Sequence, residues 1–372
     1  MQSLDNNTQA FLALVRGGLW EKDVRLSKFE PLDYSRILSL AEEQSVVGLV
    51  AAGLEHVVDA KVPKEDLLQI VGQTLQLEQR NQAMNYFIGA IVKKMRDNDI
   101  YTLLVKGQGV AQCYEKPLWR SCGDVDLFLS DDNYEKAKAF LAQLASNIEG
   151  EYKREKHLGM TIDGYIVELH GRLYCGLSSK IERELDQVQQ DTFFGGSVRS
   201  WDNNGVQVFL LKEENDVFYV FTHILQHFYK EGVGLRQICD WCRLLWHHRE
   251  RLDLRLLEGR IKRAGLTTAW KAIGAYAVDY LGMPVAAMPL YSTNKRWKRK
   301  AKRINKFILS VGNMGHNREK SYGNYPYLLR KCFSAIRRIG DLTRHARVFP
   351  TDSLKFSYAI MKNGVISAIR GE

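Results

Sequence analysis

The sequence predicts an α+β fold: a small mixed sheet flanked by an N-terminal helical region and a C-terminal helical bundle. Three observations predict it. Apolar residues recur at helical spacing from residue 8 to about residue 100, and again from Lys212. Between those regions the period switches to two, in short alternating runs. Turn dipeptides such as Asp163-Gly164 join some of these runs directly, so they pair as hairpins rather than through βαβ crossovers.

Taken in order, Asp33-Tyr34-Ser35 starts a helix carrying Ile37, Leu38, Leu40 and Ala41. Val46 to Val57 continues at helical spacing. Pro63-Lys64-Glu65-Asp66 opens a long helix, with proline and acids in its first turn. That helix carries Leu67, Ile70, Val71, Leu75, Leu77, Met84, Phe87, Ile88, Ile91, Val92 and Met95, and Asp97-Asn98-Asp99 ends it. Thr102–Val105 then reads as a strand, Gln108–Tyr114 as a short helix and Asp124–Leu129 as a strand. Asp131-Asp132 caps a helix running to about Ala145. Tyr152–His157, Gly159–Ile162 and Tyr165–His170 read as strands, and Ser197–Trp201 with Val206–Leu210 as a second hairpin. Val217–Tyr229, Leu235–Arg249, Leu254–Ala264 and Thr268–Leu281 form the bundle. A basic run, 294–307, precedes a stretch read as loop to Tyr327, then helices over 328–344 and 351–370. The organisation is therefore 1–100 helical, 101–211 mixed core, 212–290 bundle, and 291–372 basic and mainly helical.

With 372 residues, 45% hydrophobic and 26% charged, the chain has ample material for a globular core. The first residues lack a basic n-region and an apolar h-region, so no secretory signal is expected. No apolar run approaches the roughly 20 residues a spanning helix needs. Cys239-x-x-Cys242 lies in a helical pattern without a second pair, so the six cysteines read as buried thiols of a reducing cytoplasm. From Tyr291 onward stand 19 lysines and arginines against 4 acids, so the net charge of +10 belongs wholly to this end. Its run 295–306, flanked by Phe307 and including Trp297, suits RNA or the anionic inner face of a membrane, or is a solvated helix face.

The chemistry concentrates between Tyr101 and Ser130. Alternation in Asp124-Val125-Asp126-Leu127 places both carboxylates on one strand face. Such a pair is kept most readily where a cation neutralises it. In Val167-Glu168-Leu169-His170, Glu168 and His170 likewise share a face. A third carboxylate on a neighbouring strand would complete an oxygen cage suited to Mg²⁺. Lys106-Gly107-Gln108-Gly109 turns a strand into a helix, a place where backbone N–H groups meet phosphate. Arg120 stands four residues before Asp124, positioned for an anionic oxygen. Downstream, His223 and His227 lie one helical turn apart and suit a metal with Asp240, a site lining, or a packed polar face. Arg236 and Asp240 either pair with each other or leave Arg236 to a substrate phosphate.

This ordered set resembles the nucleotidyltransferase fold of the DNA polymerase β superfamily, where a glycine turn precedes an acid–apolar–acid strand and a third acid. More closely, Lys106-Gly107-x-Gly109 with Tyr114, Arg120, Asp124-Val125-Asp126, Val167-Glu168-Leu169-His170 and Arg236-x-x-x-Asp240 is similar to the uncharacterised nucleotidyltransferase family NTP_transf_5, over residues 12 to 281. The resemblance implies that 101–211 is a nucleotidyltransferase core. It implies catalytic, metal-holding roles for Asp124, Asp126 and Glu168, with Mg²⁺ or Mn²⁺ as cofactor and an NTP such as ATP as substrate. Glu168 would also help deprotonate the acceptor. Lys106, Gly107, Gln108, Gly109, Arg120, His170 and Arg236 would surround the nucleotide. The superfamily turn has serine after its glycine where this chain has Gln108. The expected reaction moves an NMP to a hydroxyl on a small molecule, sugar, glycan or protein. The alternatives are a non-catalytic nucleotide-binding regulator on the same fold and an RNA-modifying terminal nucleotidyltransferase.

Overall fold

The computed structural model describes residues 4–230, 232–313, 340 and 342–370. Four helices open the chain: α1 (Asn6–Trp20), α2 (Tyr34–Glu43), α3 (Val47–Glu55) and α4 (Lys64–Arg96). Asp5 and Asp33 cap α1 and α2 by accepting from Thr8 N and Arg36 N. The core elements follow: β1 (Leu103–Val105), α5 (Gly107–Ala111), β2 (Asp124–Phe128), α6 (Asp131–Leu141), β3 (Asn147–Ile148), β4 (His157–Ile162) and β5 (Tyr165–His170). Then come α7 (Ser179–Phe193), β6 (Val198–Asn203) and β7 (Val206–Leu211). The C-terminal helices are α8 (Glu213–Lys230), α9 (Leu235–His247), α10 (Leu254–Arg263), α11 (Thr267–Leu281), α12 (Lys295–Val311), α13 (342–348) and α14 (Pro350–Arg370).

The strands form one seven-stranded mixed sheet in the order β3-β4-β5-β2-β1-β7-β6. Asp163 and Gly164 both adopt positive φ and close the β4–β5 hairpin, as their dipeptide predicts. One sheet face, bearing Val125, Leu127, Val167, Leu169 and Leu210, packs on the C-terminal half of α4 and on α6. The opposite face turns toward α8. A second, larger core joins α1–α3 to α8, α9 and α11 through residues such as Phe11, Leu14, Phe221 and Trp241.

Several elements differ from the sequence reading. The strand expected over Tyr152–His157 is a turn; the charged Lys153-Arg154-Glu155-Lys156 offers no apolar face, and Lys156 takes φ 46°. The strand that follows therefore begins at His157 rather than Gly159. Helix α6 stops at Leu141, its last residue with a fully buried side chain. Helix α7 is an addition to the expected elements; Ser178 caps it and Ile181, Leu185, Val188 and Thr192 bury one stripe. Along α4 only Ile70 and Thr74 are buried in the first three turns, while Leu67, Val71 and Leu75 remain exposed. Cys239 and Cys242 are buried and free. The expected loop to Tyr327 and helix from 328 lie outside the described residues except at 312–313, 340 and 342–344. Among the described residues no helix is long and apolar enough to cross a membrane.

Candidate active site

Strand register assembles the site. β2 and β5 run parallel, placing Asp126 opposite Glu168 and Phe128 opposite His170. Their alternate residues fill the α4 core, so Asp124, Asp126, Glu168 and His170 share the other face. Antiparallel β4 adds His157 opposite His170. β1 ends in a sharp turn: Lys106 has φ 57° and ψ −146°, and Gly107 has φ 45°. Positive φ suits the glycine but strains the lysine. The turn brings Lys106 Nζ to 2.6 Å from Asp126 Oδ1.

These side chains line a cleft of about 300 Å³ whose other wall is α8 and α9, with Tyr219, His223, His227 and Arg236. Within it, His170 Nε2 lies 2.7 Å from Asp126 Oδ1 and 3.5 Å from Glu168 Oε2. His157 Nε2 lies 3.1 Å from Glu168 Oε2. Asp124 differs: no described residue donates a hydrogen bond to its carboxylate.

The charges shift one another. Asp126, then burial, push the Asp124 carboxyl above its ordinary range. For Lys106, burial disfavours the ammonium, but Asp126, Tyr219, Glu168 and Asp124 outweigh it and hold its pKa well above the usual value. Burial likewise opposes charge on Glu168 and His170. Hydrogen bonds from His157 and His170 nonetheless hold Glu168 far below the usual carboxylate range. Bonds to Asp126 and Glu168 raise His170. His223 moves the other way: burial, Lys106, His227 and His170 keep its imidazole neutral.

Arg120, expected to meet an anionic ligand, meets an internal carboxylate. Its Nε and Nη2 donate to Asp240 Oδ1 and Oδ2 at 3.0 and 2.6 Å, and Tyr114 Oη donates to the same carboxylate at 2.8 Å. Both partners are buried, so this bidentate pair fastens the β1–β2 connection to α9. It also answers the question of Arg236 and Asp240: they do not pair. Arg236 Nη1 donates to Ser121 O at 3.0 Å, while its buried Nε has no partner among the described residues and the side chain lines the cleft. With Asp240 so engaged, His223 and His227 bond each other, Nε2 to Nε2 at 2.9 Å. Gln108 and Gly109 line no part of the cleft. The short α5 turns them into the sheet packing, where Gln108 Nε2 is 3.8 Å from Met84 Sδ. A Cβ on Gly109 would stand 2.7 Å from Leu210 Cδ2, so this glycine serves the approach of α5 to β7.

Reading the sequence does not single out His157 or Tyr219. A signal for His157 exists. Counting outward from Asp163-Gly164 pairs Ile162 with Tyr165 and so His157 with His170.

The donor chemistry fits a divalent cation. Asp124 and Asp126 present hard oxygens side by side, one carboxylate without a hydrogen-bond donor among the described residues. A solved structure, an antigenic nucleotidyltransferase-like protein from Paracoccidioides brasiliensis, aligns at 16% identity and a TM-score of 0.30, over 50% of this chain and 90% of that one. No curated protein matches. The model of a family described as uncharacterised nucleotidyltransferase matches residues 30–282, more than half of the chain and every residue of the cleft. The chain belongs to this uncharacterised nucleotidyltransferase family.

Proposed function

We propose that the chain moves a nucleoside monophosphate from an NTP to a hydroxyl of an acceptor, using Mg²⁺ or Mn²⁺ held by Asp124, Asp126 and Glu168. Family membership supports nucleotidyl transfer as the reaction class. The observation that carries the metal-dependent form is the Asp124 carboxylate, without a hydrogen-bond donor among the described residues and set beside Asp126 in the cleft. When bound, divalent ions neutralise charge that develops on the α-phosphate and the departing pyrophosphate.

The chain's own residues do the rest. Gly107 lets the backbone approach the phosphates, and the Arg236 guanidinium lines the cleft beside them. Lys106 holds Asp126 ionised and in place. Glu168 accepts hydrogen bonds from His157 and His170, which lower its carboxyl from the usual range. It is placed to ligate a cation and to help take the proton of the acceptor hydroxyl. His223 stays neutral and suits an uncharged sugar or base edge. Purified protein with Mg²⁺ or Mn²⁺ should release pyrophosphate from an NTP when acceptor is present. Asp124→Asn with Asp126→Asn should abolish the release, and undiminished turnover in that double variant contradicts the mechanism.

One observation favours RNA over a lipid-inserted helix as the role of α12. The apolar stripe of α12, including Ala301, Ile304, Phe307 and Ile308, is already buried in the protein core. A lipid-lying helix needs that stripe free. What α12 shows outward is Lys295, Arg296, Lys298, Arg299, Lys302 and Arg303, a face that suits phosphates.

A further inference from the structure

His157, Glu168 and His170 form a tridentate group within the cleft. One ligand atom from each lies within 4.8 Å of the others. All three come from a single hairpin: His157 and His170 are cross-strand partners, and Glu168 lies two residues from His170 on the same face. We propose that this group is a second metal site, one that takes a divalent transition-metal ion through two imidazoles and a carboxylate.

Geometry and donor type carry the assignment. An ion with bonds of about 2.1 Å separates neighbouring ligand atoms by roughly 3.0 to 3.4 Å. The observed separations are 3.1 Å for His157 Nε2 to Glu168 Oε2 and 3.5 Å for His170 Nε2 to Glu168 Oε2. Asp126 Oδ1 lies 2.7 Å from His170 Nε2 and offers a fourth ligand atom. The Glu168 oxygen and the two imidazole nitrogens therefore stand near coordination separations, and an ion would take the place of the hydrogen bonds that now join imidazole to carboxylate. Imidazole nitrogens select zinc, cobalt, nickel or iron over Mg²⁺, which demands oxygen. Asp124 is not part of the group, whereas Glu168 and Asp126 would be shared between this ion and the hard ion of the transfer reaction.

The hairpin itself is rigid enough to hold such a site. Its two-residue turn fixes the register, and Leu158, Met160, Val167 and Leu169 anchor its opposite face in the core. The ligands are thus set by backbone pairing rather than by flexible loops.

The test is metal binding, read spectroscopically. Protein stripped with a chelator and titrated with Co²⁺ should take up one equivalent with ligand-field bands in the visible. Excess Mg²⁺ should not remove those bands, and Zn²⁺ should. Separately, His157→Ala and His170→Ala, checked for folding by circular dichroism, should weaken Co²⁺ binding by more than the roughly 10- to 100-fold that losing a merely orienting partner costs. Pulsed electron paramagnetic resonance of the wild-type protein loaded with Cu²⁺ should show imidazole nitrogen coupling, a readout that needs no variant. Absence of that coupling, displacement of Co²⁺ by Mg²⁺, or unchanged affinity in a folded His157→Ala protein overturns the proposal. Nitrogen coupling without pyrophosphate release leaves this site standing and removes the transfer reading. Pyrophosphate release with Mg²⁺ and no nitrogen coupling does the reverse.

Discussion

Asp240 receives three hydrogen bonds from Arg120 and Tyr114 in the protein interior, and each of those donors is itself buried. Removing the acid alone leaves a guanidinium with no counter-charge. Asp240→Ala is expected to cost about 3 to 5 kcal/mol in urea unfolding, and Arg120→Met with Asp240→Leu much less. His248 gives a pH prediction. Burial first, then Arg199, His247 and Arg251, push it down to about 3 from an ordinary 6.5. Its folded value lies below the unfolded one, so the unfolded chain takes the proton first as pH falls. Stability is full above pH 6.5 and is lost progressively from there toward pH 3. His248→Gln should flatten that slope by about 1.4 kcal/mol per pH unit, measured as unfolding free energy against pH. The pairing of Arg120 with Asp240 is not legible in the sequence. The two are 120 positions apart, and nothing in local spacing joins them. Asp124 and Asp126 are legible because their shared face follows from the strand period alone.

At the scale of elements, α1 and α3 meet through bare backbone. A Cβ on Gly18 would stand 2.0 Å from Leu49 O, and one on Gly53 would stand 2.0 Å from Leu14 O. Gly53→Ala must therefore push the two helices apart, and is expected to destabilise by about 1 to 3 kcal/mol. The check is a lower denaturant midpoint at unchanged m-value. Such a close approach is invisible in sequence, where a helical glycine looks only like a weak helix former. The strand pattern carries more. Alternation and a two-residue turn locate β5 and the site face of Glu168 and His170. The start of β4 is harder to read, because Tyr152 and His157 flank a polar turn rather than a strand, and that hides His157 as a site residue. Helix α7 is legible in principle, through its serine cap and spaced aliphatics.

Across the whole molecule, the acids and the bases are separated. The cleft carboxylates lie on the mixed sheet, while the positive excess lies on α12 and beyond. If the acceptor is RNA, binding should weaken linearly in log salt. Lys298→Glu with Lys302→Glu should reduce that slope by about 0.7 for each phosphate that no longer meets a cation. A slope unchanged by the double reversal would remove α12 from the acceptor path. The fold class is legible in the sequence because both helical regions and the strand run keep their periods over long stretches. Which helix closes the cleft is not, since α8 reaches the acids only through tertiary packing. The most direct measurement is a crystal structure with Mn²⁺ and a non-hydrolysable NTP, read by anomalous scattering at the manganese edge. The account predicts a manganese peak touching both Asp124 and Asp126, with the triphosphate beside Gly107 and Arg236. Nucleotide bound elsewhere, or a cleft whose two aspartates carry no metal, would contradict it.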